Sequence, residues 1–158
     1  MANAFRYRYG DMKPVMAAVD SATVIEIGDM VWLDTDDAKP FTAIADAGTK
    51  AQNQEAAHDK FLGIAMQQSR VGDVAPIQVA TAGVFELDCV SATLQLGTLV
   101  GPIGTGASDA VGVANQSVES VATANLAVGR VADAIASKTK VKVDIVSTVM
   151  YGGPMAMA

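Results

Sequence analysis

Val84-Phe85-Glu86-Leu87-Asp88-Cys89-Val90 alternates apolar and acidic side chains strictly from Phe85 to Cys89. Successive side chains of an extended chain point to opposite faces. This run therefore reads as a strand with one face buried and the other turned to water or to a neighbour. The same grammar recurs on both sides of it. Residues 24–27 alternate, Gly28-Asp29 turns the chain, and Met30-Val31-Trp32-Leu33 runs into the acidic tip Asp34-Thr35-Asp36-Asp37. Phe41-Thr42-Ala43-Ile44, Phe61-Leu62-Gly63-Ile64-Ala65-Met66 and Ile77-Gln78-Val79-Ala80 are further short β-prone runs, with a turn at Arg70-Val71-Gly72-Asp73. Ala51-Gln52-Asn53-Gln54-Glu55-Ala56-Ala57 is the best helix candidate, either a short helix or part of a long loop.

The second half echoes the first. Leu96-Gly97-Thr98-Leu99-Val100 repeats the pattern of Ile27-Gly28-Asp29-Met30-Val31. Ala110-Val111-Gly112-Val113-Ala114 and Ala127-Val128-Gly129-Arg130-Val131-Ala132 both repeat Phe61-Leu62-Gly63-Ile64-Ala65. Residues 138–146 alternate Lys or Asp with Val or Ile, the pattern expected of a solvent-edge strand. The Ala-rich span 122–136 has helical propensity, but alternation at Val128 and Arg130 and the echo favour strand. Short strands at regular spacing, separated by glycine turns, specify an all-β fold: a small barrel or sandwich with at most one short helix. Glycines inside apolar strands fit the bulges and bends of a small closed barrel.

Composition agrees. The chain has 158 residues, the size of one domain with a real core, and is 51% apolar but only 5% aromatic. Mean hydropathy is +0.30, yet the apolar residues are dispersed. No run approaches a membrane-spanning helix, and the N-terminal residues lack the apolar stretch of a signal peptide. Apolar content of this kind suits a protein that buries surface against partners, so a lone monomer is not expected. A formal charge of -6 gives no counterion-release term for DNA or RNA. Cys89 is alone and makes no internal disulfide; flanked by Asp88 and Val90 in a strand, it reads as a buried thiol. His58, the one histidine, removes most zinc and Ser-His-Asp chemistry and reads as a surface residue of a polar loop. The acidic tip fails as a calcium loop, because the sixth and twelfth positions from Asp34 are Lys39 and Ala45. Gly101-Pro102-Ile103-Gly104-Thr105-Gly106 lacks the order of a phosphate-binding loop. No cofactor, metal or catalytic group is expected.

Two segments stand apart from the body, residues 14–150. In 1–13, Phe5, Arg6, Tyr7, Arg8 and Tyr9 form an extended basic and aromatic arm ahead of an acidic body. Docking onto another chain is the favoured reading, since Arg and Tyr often carry interface energy. Pairing with the chain's own domain and disorder are the alternatives. In 151–158, Gly152-Gly153-Pro154 breaks regular structure, and Tyr151, Met155 and Met157 belong to an uncharged tail suited to cover by another subunit, or to disorder.

The glycine-turn strands, Leu62-Gly63-Ile64-Ala65, Ala82-Gly83-Val84-Phe85-Glu86-Leu87 and Ala127-Val128-Gly129-Arg130-Val131-Ala132, taken in order and spacing over residues 20–150, resemble the capsid decoration (cement) proteins of tailed bacteriophages. The resemblance implies a small β-barrel on the outer surface of the virion capsid, no catalytic residues, and copies associating as homotrimers. Its partners would be the major capsid protein and other copies of itself, with terminal arms reaching them. The arm and the tail lie outside the resembling pattern; docking is assigned to them from composition alone. A β-rich binding module of another phage assembly, such as a fibre or carbohydrate-binding domain, is the alternative.

Overall fold

A computed structural model describes residues 3–156. Its strands are β1 Tyr7–Tyr9, β2 Val15–Ala17, β3 Met30–Asp34, β4 Asp37–Pro40, β5 Phe61–Ala65, β6 Ile77–Ala80, β7 Ala82–Leu94, β8 Leu99–Thr105, β9 Gly112–Ser120, β10 Gly129–Val131 and β11 Ile135–Val146. Helix α1 spans Lys50–Asp59, and α2, Thr148–Tyr151, is a single turn. The fold is all-β, as the alternation requires.

The echo is deeper than the sequence suggests. One sheet has the order β2-β6-β5-β3-β4; the other runs β7-β11-β10-β8-β9, with β1 added outside β7. The two orders are the same when strands are taken in turn. Each sheet also curls until its ends touch through one parallel pair, Ala18 with Asp37 in the first and Asp88 with Ser117 in the second. Registers coincide as well. Met30 and Val31 face Ile64 and Gly63, while Leu99 and Val100 face Arg130 and Gly129. Gly28 N–H donates to Ala65 O and Gly97 N–H to Val131 O, both at 2.9 Å. Residues 14–150 therefore carry one five-stranded arrangement twice in tandem, a closer internal repeat than the loose echo of the sequence. The echo at residues 110–114 fails. Gly112 opens β9, the counterpart of β4, whereas Gly63 lies inside β5.

The units share their core unequally. Ala17, Ile25, Val31, Leu62, Ala65 and Val79 fill the interior of the first. Its outer face, Met30, Phe61, Ile64 and Ala80, packs with Phe85, Leu87, Val100, Val118 and Val143 of the second. Strand β5 serves both cores through a bulge: Val31 faces Gly63 but Trp32 faces Phe61, leaving Leu62 extra. Phe61 and Ile64 then point to one core, and Leu62 and Ala65 to the other. At the counterparts of Ile64 and Ala80 the second unit has Arg130, half-buried, and Asp144, exposed. Only the first unit buries this face.

Helix α1 forms where expected, and it docks by hydrogen bonds rather than by an apolar stripe. Gln54 Nε2 donates to Pro102 O at 2.9 Å, Asn53 Oδ1 accepts from Ala47 N–H, and Ala57 packs into the shared core. Thr49 caps its N-terminus by accepting from Gln52 N–H at 3.2 Å. Thr49→Ala is expected to cost about 1 kcal/mol in urea unfolding.

Three local expectations are corrected. Residues 24–27 form no strand beyond an Ile25–Ser69 bridge, because the Asp29 carboxylate accepts Glu26 N–H at 3.0 Å and holds a turn. Residues 41–43 are a 3-10 turn following Pro40, with Phe41 buried. Strand β11 is no edge: it lies between β7 and β10, and its Lys/Asp alternation reflects a solvent-facing side of the sheet.

Candidate docking surface at the chain ends

The N-terminal segment crosses the first unit where a side chain would block it. A Cβ on Gly28, whose φ is +97°, would stand 2.5 Å from Ala4 O. Ala4 N–H donates to Ile27 O at 2.8 Å, and Asn3 Oδ1 accepts from Ile27 N–H. Strand β1 then pairs antiparallel with β7, Tyr7 facing Phe85 and Tyr9 facing Val84. Arg6, 9% exposed, reaches inward. Its two terminal nitrogens donate to the two oxygens of Asp88, each at 2.9 Å, and Nη2 also donates to Gln116 Oε1 at 2.8 Å. Gln116 Nε2 donates in turn to Asp29 Oδ1 at 2.8 Å. Lys140 Nζ also donates to Asp88 Oδ1, at 2.7 Å.

This network ties the arm and both barrels together, since Asp29 belongs to the first unit and Asp88 and Gln116 to the second. Its electrostatics follow from the contacts. The hydrogen bond from Arg6, helped by Lys140, holds the Asp88 carboxyl down to about 2. Burial pushes Asp29 up, with the Gln116 amide opposing.

Within the single chain the arm thus pairs with its own domain, one of the alternatives the sequence leaves open. Arg6 is consumed inside the molecule, the Tyr7 ring packs edge-on against Phe85 at 5.6 Å, and Arg8 pairs with Glu86 at 3.1 Å. The acids between Phe85 and Cys89 face the arm's arginines. The signal was in the sequence: Arg6 and Arg8 have the two-residue spacing of Glu86 and Asp88. Phe5, 68% exposed, and Tyr9, 50% exposed, face outward.

The C-terminal segment is tied as well. Ser147 Oγ accepts Met150 N–H and caps α2, Gly152 closes the turn in the left-handed region, and Gly153 N–H donates to Ser147 O at 3.1 Å. Gly153 lies against His58, where a Cβ would stand 2.8 Å from the ring. His58 is therefore buried rather than a loop residue, with Nδ1 donating to Ala127 O at 2.7 Å. The Arg130 guanidinium donates to Met155 O. Lys13 Nζ sits 5.0 Å from the centre of the Tyr151 ring, which remains half-exposed, and Met155 is exposed. Met157 lies outside the described residues. Tails carrying their own backbone freedom are thus replaced by apolar side chains on an anchored backbone.

Elsewhere, the thiol of Cys89 is buried, pushed up by burial, and its Sγ–H donates to Lys138 O. Among the described residues no three His, Cys, Asp or Glu converge as a metal ion would need, and no helix is long and apolar enough to cross a membrane. Exposed apolar groups that the sequence reading passed over are Met16, Val71, Val74, Val90 and Leu96. Most sit in or beside turns, where single apolar residues give no periodic signal. Comparison with family models and with curated proteins finds no match for this chain.

Proposed function

We propose that the chain is a structural, non-enzymatic virion protein that binds the outer surface of an assembled tailed-phage head and clamps adjacent major capsid protein subunits, copies acting in threes. The observation that carries this reading is the display of Phe5, Tyr9, Tyr151 and Met155 on a backbone already fixed to a rigid double barrel. Large apolar groups whose backbone is pre-ordered lose little entropy on docking. A ligand that binds only the assembled lattice stabilises it by mass action, and three linked contacts multiply weak single-site affinities. The acidic body keeps decorated particles mutually repelling. Docking falls on the apolar side chains, with Arg6 serving to hold them in place.

Replacing Phe5 and Tyr9 together by serine tests this. Co-sedimentation with undecorated heads is expected to weaken at least tenfold, with the unfolding midpoint of the free protein unchanged. Undiminished binding would contradict the assignment.

A further inference from the structure

The duplication shows one strand-docking position twice, filled in the second unit and open in the first. In the second unit, β1 lies against the edge of β7, and Glu86 N–H donates to Arg6 O at 2.8 Å. The counterpart of Glu86 is Met16, because Val15 and Ala17 face Val79 and Ile77 as Phe85 and Leu87 face Val143 and Val141. On β6, Gln78 turns its backbone towards β5, donating to Gln67 Oε1 at 2.7 Å and accepting Met66 N–H at 2.9 Å. Its partner Met16 therefore turns its own N–H and C=O away from β6, to the outer edge. Met16 is 64% exposed, and beyond β6 the next contact along β2 among the described residues is the Ala18–Asp37 bridge.

We propose that this edge of β2 is a docking site for an extended, basic segment of a partner polypeptide, added as a strand in the way β1 adds to β7. Charge selects the occupant. Arg6 meets Asp88 and Gln116 beside the closing pair of the second unit. Across the closing pair of the first unit, Asp36 and Asp37 take the places of Gln116 and Ser117, with Asp34 on the strand facing Asp37. Lys39 is the local cation, and its ammonium is held 2.6 Å from Asp34 Oδ2. An incoming arginine would thus find the Asp36 and Asp37 carboxylates in the places of Gln116 and Ser117, with Ala18 in the place of Asp88. Antiparallel pairing of β2 with β2 of a second copy would place no arginine at the Asp36–Asp37 end. The copy's arm would have to abandon its own bidentate contact. A foreign basic strand has no such contact to give up. The site stands whether or not the partner is a capsid protein.

The probe is a peptide of residues 3–11, Asn-Ala-Phe-Arg-Tyr-Arg-Tyr-Gly-Asp, whose sequence already fills the equivalent edge. Titrated into the full chain, it is expected to bind saturably and more weakly at high salt, and to slow hydrogen exchange at the Met16 amide. Asp36→Asn with Asp37→Asn, both on an accessible hairpin, should weaken binding about tenfold, and a peptide with both arginines replaced by glutamine should do the same. No saturable binding at millimolar peptide would overturn the proposal. So would protection at Glu86 alone, which would mean exchange with the resident arm. Because no heads enter this experiment, its failure leaves the capsid reading standing, and the reverse also holds.

Discussion

Gly63→Ala is expected to destabilise the protein by about 3 kcal/mol or more, enough to leave little folded protein at moderate urea. A Cβ at this position would stand 1.9 Å from Ala80 O and 3.1 Å from Val79 Cγ1. The obstacle is backbone, so relief requires β5 and β6 to part, and β5 borders both cores. The second unit repeats the device. A Cβ on Gly129 would stand 2.3 Å from Asp144 O and 2.8 Å from Val143 Cγ1, and Asp144 and Val143 are the counterparts of Ala80 and Val79. Gly129→Ala should therefore be similarly damaging. Gly97→Ala is the control: its φ is +83° but nothing lies within 4 Å, so about 1 kcal/mol is expected. Urea unfolding of the three variants decides it. A loss at Gly63 no larger than at Gly97 would refute the close approach of β5 and β6.

Arg6→Met is expected to cost about 2–3 kcal/mol. The substitution keeps an apolar stem but strips Asp88 and Gln116 of their donor; breaking a fully buried pair would cost more, and the one-third exposure of Asp88 lowers the figure. The acid limb of the stability profile should change with it. In the intact protein Asp88 is held at about 2 against an ordinary 3.8, so its contribution is complete above roughly pH 4 and is lost as pH falls towards 2. Arg6→Met should flatten that limb. Asp29 has the opposite sign: raised by burial, it lowers stability as pH rises through and above the ordinary carboxylate value. An unfolding profile between pH 2 and 5 that keeps its full slope in the variant would contradict the Arg6–Asp88 assignment. For the same reason, removal of the first dozen residues is expected to destabilise the double barrel as well as removing Phe5 and Tyr9.

The fold was largely legible because β-structure writes itself into sequence with a period of two. The strands around Phe85, Ile77 and Phe61, the turns at Gly28 and Gly97 and the helix at 50–59 all carry local signals. What local signals miss is which strands meet. Residues 138–146 look like an edge because half their side chains are charged, yet charge on one face says nothing about hydrogen bonding in the plane of the sheet. The duplication showed itself as two matching glycine-turn phrases, and its completeness emerges only from registers that join residues far apart in the chain. The exposure of the chain ends was half legible. Phe5, Tyr9, Tyr151 and Met155 were singled out by composition and do face solvent. Arg6 looked equally available, and its burial depends on Gln116 and Asp29, two residues whose local sequence gives no hint of a shared site. Met16 was silent for a different reason: an open strand edge is a property of neighbours, visible only once its filled counterpart at Glu86 is known.

The reading of the chain as a clamp on assembled shells meets its most direct test in the heads themselves. Expanded heads lacking this protein would be heated with and without it, and the temperature of genome release recorded as protein is added. Release is expected to shift upward by several degrees and to saturate at a fixed ratio of protein to capsid subunits. An unchanged release temperature at saturating protein would contradict the proposed role.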